Sequence, residues 1–129
     1  MIRFQFMNFR FTKAERLTRK KEFEKVFREG KVLKNGKIVL YVIPNGLQHS
    51  RLGLVVSRKV GNAVRRNRAK RLLREAYRLN KHLLTSHVDI IAIPRHPFSS
   101  DLKLSDVDNG FRKLLLQINE TFSNEVYRH

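Results

Sequence analysis

Apolar and polar positions along this chain follow two periods, and the periods place the elements. Between Thr18 and Glu29, Phe23, Val26 and Phe27 recur at i, i+3 and i+4, the spacing of one helix face. A short amphipathic helix is expected, with Thr18 as N-cap and Gly30 at its stop. Lys37 to Pro44 is β-branched and apolar on both faces and is followed by Asn45-Gly46, a hairpin turn signal, so the strand at Arg51 to Ser57 is expected to fold back beside it. Asn62 then caps a helix without internal Pro or Gly that runs to about Leu79. Val88 to Ile93 is apolar apart from Asp89 and stops at Pro94, which reads as a strand buried on both faces, with a loop at Arg95-His96-Pro97. Val107, Phe111, Leu114, Leu115, Ile118 and Phe122 form one stripe from Ser105 to Phe122, a core-packing helix started by Ser105 or Asp106.

The order is helix, two or three strands, helix, strand, helix. It predicts an α+β fold, one mixed sheet with helices mostly on one face. Residues 17–125 read as a single αβ domain. Residues 1–16 read as an N-terminal arm in which Phe4, Phe6, Phe9 and Phe11 sit among charges, with Met7 as an alternative start. There is no repeat and no second domain.

Charge changes this picture of an ordinary small domain. Twenty-eight Lys and Arg against 11 Asp and Glu leave a formal +17, far beyond what solubility needs, and predict a polyanionic partner. The excess is local: residues 51–81 carry 11 basic groups and one acid, Glu75, whereas residues 82–129 carry 5 against 6. On the helix after Asn62, Leu72, Ala69, Ala76, Leu73, Tyr77 and Leu79 share a core face. Lys70, Arg74, Asn67, Arg78 and Arg71 fall within about 100° of one another on the opposite side. Like charges one turn apart repel by about 0.2–0.5 kcal/mol each. A solvated surface face is the plain alternative, but such faces mix signs and this one barely does, so contact with nucleic acid is the better reading.

Other chemistry is scarce. The chain has no cysteine, and its five histidines lack ligand spacing, so neither a disulfide frame nor a metal site is expected. There is no phosphate loop, no His-Glu-x-x-His and no Asp/Glu cluster in the basic half, so no catalytic residue is assigned. No apolar run approaches the ~20 residues of a membrane span, and no secretory signal opens the chain, so a cytoplasmic protein without membrane contact is expected.

The run Val56-Ser57-Arg58-Lys59-Val60-Gly61-Asn62-Ala63-Val64-Arg65-Arg66-Asn67-Arg68-Ala69-Lys70-Arg71-Leu72-Leu73-Arg74-Glu75 resembles the signature of the bacterial ribonuclease P protein component, centred on Arg66-Asn67-Arg68. Arg16-Leu17, the stretch Glu22 to Gly30, Val39-Leu40-Tyr41 and Ile91 to Arg95 extend the resemblance over roughly residues 16–120. It implies the αβ sandwich of the second domain of ribosomal protein S5, with a left-handed crossover holding the basic helix. It also implies an accessory subunit of a ribonucleoprotein endoribonuclease, one protein per RNA, in which the catalytic RNA hydrolyses the bond between 5′ leader and tRNA. No organic cofactor is implied, and Mg²⁺ is bound mainly by RNA.

By the same resemblance Lys59, Asn62, Arg66, Asn67, Arg68, Lys70, Arg71 and Arg74 contact the catalytic RNA. Helical geometry independently groups Asn67, Lys70, Arg71 and Arg74, but puts Arg68 at the border and Arg66 near the core edge, where bracing of adjacent loops is the alternative. Phe23, Phe27 and Tyr41 match positions that contact the single-stranded leader of precursor tRNA, in a cleft between the first helix and the sheet, with Val39 and Arg95 as further candidates. Stacking on rings suits unpaired bases, although two aromatics at i, i+4 also make an ordinary core pair. A ribosomal or ribosome-assembly RNA-binding protein is the competing reading, and a DNA-binding module a third.

Overall fold

The computed structural model describes residues 10–95 and 102–126, with side chains to residue 123. Most of the arm, including Phe4, Phe6 and Phe9, and the His96-Pro97 loop lie outside the described residues.

Three helices and four strands follow in the order α1 (Lys20–Glu29), β1 (Lys31–Asn35), β2 (Ile38–Pro44), β3 (Arg51–Leu54), α2 (Ala63–Asn80), β4 (Val88–Pro94) and α3 (Leu104–Val126). The sheet order is β1-β2-β4-β3. β1 and β4 both pair antiparallel with β2, and β3 pairs parallel with β4. The fold is α+β, and α2 lies in the crossover from β3 to β4.

Two local expectations are corrected. Asn45-Gly46 does not close a hairpin, because β4 enters between β2 and β3. A strand as apolar as Val88–Pro94 needs neighbours on both edges, and it takes β2 and β3. Asn45 still makes a tight local turn, accepting the Leu47 N–H at 2.9 Å, with Gly46 at φ 67°. The sheet's true hairpin is β1-β2, closed by Gly36-Lys37 with Gly36 at φ 52°, the conformation that a two-residue turn with leading glycine demands. Thr18 is not the cap of α1 either. That position falls to Arg19, which makes no side-chain capping bond. At the other end Gly30 is required sterically, since a Cβ there would meet the Val26 carbonyl oxygen at 2.4 Å.

The sheet has two unlike faces. Ile38, Leu40 and Val42 of β2, with Ile90 and Ala92 of β4, face α2 and α3 and are fully buried in the main core. The predicted stripe of α3 from Val107 to Phe122 packs there, as do Ala69, Leu73, Ala76 and Tyr77 of α2. Asn80 at the end of α2 is buried and donates to Asp108 of α3 at 2.5 Å, joining the two helices. The alternate residues Val39, Tyr41 and Ile43 are only half buried. Among the described residues α1 is the α-helix that covers that second face, and Val26, Leu17 and Ile91 form a small separate core beneath it.

An ion network seats α1. Asp89, 5% exposed, accepts from Arg51 at 2.8 and 2.6 Å, and Arg51 reaches Glu22 of α1 at 2.6 Å. The hydrogen bonds to Asp89 and Glu22 outweigh burial and raise the Arg51 pKa further, so the guanidinium stays charged. The polar interruption of the central strand is thereby satisfied.

Candidate nucleic-acid interface

The basic helix forms where its cap predicts. Asn62 Oδ1 accepts the Arg65 N–H at 3.0 Å, and Gly61 makes the turn before it at φ 146°. From this start Asn67, Arg71 and Arg74 project into solvent and Lys70 is half buried, all on the side away from the core, while Lys59 is exposed on the short turn Arg58–Val60. Among the described residues no ion pair or hydrogen bond engages the side chains of Lys59, Lys70, Arg71 or Arg74. These are cations held together at a cost in repulsion without a protein counterion. Arg78, the remaining cation expected on this strip, is bound by Glu75 at 2.7 Å.

The two arginines of the central motif behave differently. Arg66 donates to the Gly61 carbonyl at 3.0 Å and Arg68 to the Leu102 carbonyl at 2.8 Å. Each thus braces a loop, and Arg68 ties α2 to the segment entering α3. Five donors on each guanidinium leave capacity beyond the one bond.

The second candidate lies across the sheet. Phe27, 40% exposed, stands edge-on to Tyr41 with ring centroids 4.9 Å apart. Val39 sits opposite Ile93 and Tyr41 opposite Ile91 in register, so the four share one face. Phe23, Tyr41, Ile43, Val55 and Ile93 all pack partly buried around the small core. Phe23 and Phe27, one turn apart on α1, therefore border the half-buried sheet face of Val39, Tyr41 and Ile93, the position of the expected groove. Arg95 is exposed just beyond Pro94, its backbone N–H bonded to the Lys37 carbonyl at 2.7 Å.

Other residues were not among the candidates. Val32 and Lys34 of β1 pair directly with Tyr41 and Val39 and are exposed at the groove's border. The turn at Asn35-Gly36 after Lys-Val-Leu-Lys was the signal for them. Gly53 lets Phe23 approach, since a Cβ there would lie 2.5 Å from the ring.

Residues 10–17 pack on the body. Leu17 donates its N–H to Leu52 at 2.9 Å, extending the β3 edge, and Phe11 meets Tyr77 edge-on at 5.8 Å. Lys81 binds Glu15 at 2.6 Å and also reaches the Arg10 carbonyl. Burial raises the Glu15 carboxyl, but hydrogen bonds from Lys81 and Thr12 outweigh it and hold the group below its ordinary 4.5. A carboxylate depressed by folding stabilises fully above its unfolded pKa and loses that contribution as pH falls through the folded value. The segment is therefore expected to loosen only below about pH 4.5, visible by NMR as loss of Phe11–Tyr77 contacts. Glu15→Gln should remove that pH dependence.

Relatives place these features in a family. A family model for ribonuclease P matches residues 11–119. The ribonuclease P protein component of Thermotoga maritima is 44% identical over 105 residues, 81% of this chain and 90% of that protein. The corresponding protein of Clostridioides difficile is 38% identical over 106 residues, 81% and 92% of the two chains. The solved RNase P protein from Thermotoga maritima superposes with a TM-score of 0.74 at 40% identity, covering 80% of this chain and 96% of that one. The one from Staphylococcus aureus gives 0.72 at 34%, covering 85% and 99%. Matched over most of its length in both sequence and fold, the chain belongs to the ribonuclease P protein family.

Proposed function

We propose that this chain is the protein subunit of a ribonucleoprotein endoribonuclease, ribonuclease P. In this reading α2 binds the catalytic RNA and the groove beside α1 binds the 5′ leader of precursor tRNA. The chain thereby assists endonucleolytic removal of the leader, one protein per RNA. The observation that carries the reading is the strip of Lys59, Lys70, Arg71 and Arg74, which lacks any protein counterion among the described residues and suits a phosphate backbone. The half-exposed rings of Phe23, Phe27 and Tyr41 suit unpaired bases of varied sequence, because every base has a face to stack.

The chain's part is binding and positioning. Among the described residues no three His, Cys, Asp or Glu side chains cluster as a metal site. Hydrolysis and the Mg²⁺ it uses are assigned to the RNA. No helix among the described residues is long and apolar enough to cross a membrane.

The test is cleavage of a 5′-extended precursor tRNA by a bacterial ribonuclease P RNA at low Mg²⁺, with and without the protein, beside a protein-alone control. Stimulated leader release with both components supports the reading. Absence of stimulation overturns it and favours a ribosomal RNA binder. Within the assembled enzyme, Phe27→Ala is expected to weaken precursor binding by roughly 1–3 kcal/mol while sparing mature tRNA. Equal losses for both RNAs would return Phe27 to a packing role.

A further inference from the structure

We propose that a cavity at the outer edge of β3 is a binding site for a single RNA nucleotide, its phosphate held by Arg16, Lys70 and Arg74 and its base resting against Phe11 and Phe23. The inference deepens the RNA-binding reading above and rests on it. The cavity is an open depression of about 310 Å³ between the segment preceding α1, the edge of β3 and α2. That is the lower end of the ~300–1,000 Å³ of small-ligand pockets, with room for one nucleotide. It lies apart from the groove floor of Val39, Tyr41 and Ile93, and shares only Phe23 with it.

Its chemistry is that of a phosphate beside an aromatic face. Three cations line it and no acid does. Lys70 and Arg74 stand one helical turn apart and reach the same mouth. Arg16 enters from the opposite wall, its guanidinium 5.3 Å above the Phe11 ring. Thr18, released from the capping role its sequence position suggested, lines the cavity. Leu17, Leu52 and Leu54 complete an apolar lining, and the absence of a side chain at Gly53 brings Phe23 in against them.

The wall is built before any ligand arrives. The backbone bond from Leu17 to Leu52, the Glu15–Lys81 pair and the His49 ring against the Ala14 carbonyl at 3.0 Å all pin the segment that forms it. Because the cavity meets the basic strip through Lys70 and Arg74 and the groove through Phe23, a nucleotide seated there joins the two RNA contacts around the sheet edge.

The first experiment is an NMR titration of the full chain with a nucleoside 5′-monophosphate, with the unphosphorylated nucleoside and inorganic phosphate as comparisons. The monophosphate is expected to shift the amides of Arg16 to Thr18 and Leu52 to Leu54 at lower concentration than either comparison. Thr18→Trp, which fills the cavity from an exposed position, should abolish the response, and Arg16→Ala should weaken it about tenfold, the loss of one charge-assisted bond. Shifts confined to Ala63–Asn80, or unchanged binding by Thr18→Trp, overturn the site.

The second arm uses the assembled enzyme. A defect of Arg16→Ala that vanishes when the leader is cut to one nucleotide assigns the occupant to the precursor. A loss of RNA-subunit affinity assigns it to the RNA subunit. No defect in either overturns the proposal. Stimulation of cleavage by the unaltered chain without a nucleotide response would sink the cavity alone, whereas absent stimulation would sink the functional reading.

Discussion

Replacing Lys70 and Arg74 together by alanine is expected to weaken binding of the RNA subunit about a hundredfold near physiological salt, the loss of two charge-assisted phosphate contacts. The same change should reduce the slope of log affinity against log salt by about 1.4–1.8, because each neutralised phosphate contributes roughly 0.7–0.9. A binding series across salt concentrations reads both quantities. Folding should not suffer, because neither side chain bonds within the described protein. Relief of repulsion between neighbours one turn apart even favours the helix by about 0.2–0.5 kcal/mol. An unchanged slope would remove the strip from the interface. Arg68→Ala makes the contrast, since it also releases the Leu102 carbonyl and should lower stability together with affinity.

Arg51→Met is expected to cost about 3–5 kcal/mol of folding stability, the consequence of stranding one partner of a buried ion pair. The charge left behind is Asp89, which among the described residues keeps the amide of Asn45 at 2.9 Å. Urea unfolding measures the loss. Adding Asp89→Asn to the same chain should recover much of it, because no unpaired charge then remains in the sheet. A cost below about 1 kcal/mol for the single change would mean the pair is screened like a surface one. Since Arg51 also holds Glu22, the single variant should loosen α1 and blur the Phe27–Tyr41 contact that walls the groove.

Much of the site is legible along the chain because its causes are local. The Asn62 cap, the division of α2 into core and cationic faces, and the α3 stripe each depend on residues within a turn or two. Their places in the structure follow the helical period. The marginal positions were legible too: the same geometry that put Arg66 and Arg68 off the strip agrees with their bonds to loop carbonyls. Thr18 shows the limit of such reasoning, since a capping residue is only useful if the helix starts beside it, and α1 starts two residues later. β1 is short and carries lysines at two of its three exposed positions, so its period was too weak to mark it as more than an optional strand.

The sequence by itself determined the charge and where it is concentrated, the helices with their buried faces, the doubly apolar strand and the resemblance that names the family. These rest on composition and on contacts between near neighbours in the chain. Tertiary structure alone decided that β4 lies between β2 and β3, that α1 covers the second sheet face only in part, and that residues 11–18 close a cavity against Lys70 and Arg74. It also decided the pairs of Arg51 with Asp89 and of Lys81 with Glu15, whose partners lie tens of positions away, whereas the Arg78–Glu75 pair is local. Strand order and cavity walls are set by the burial of distant surfaces against one another, a quantity that no local period records.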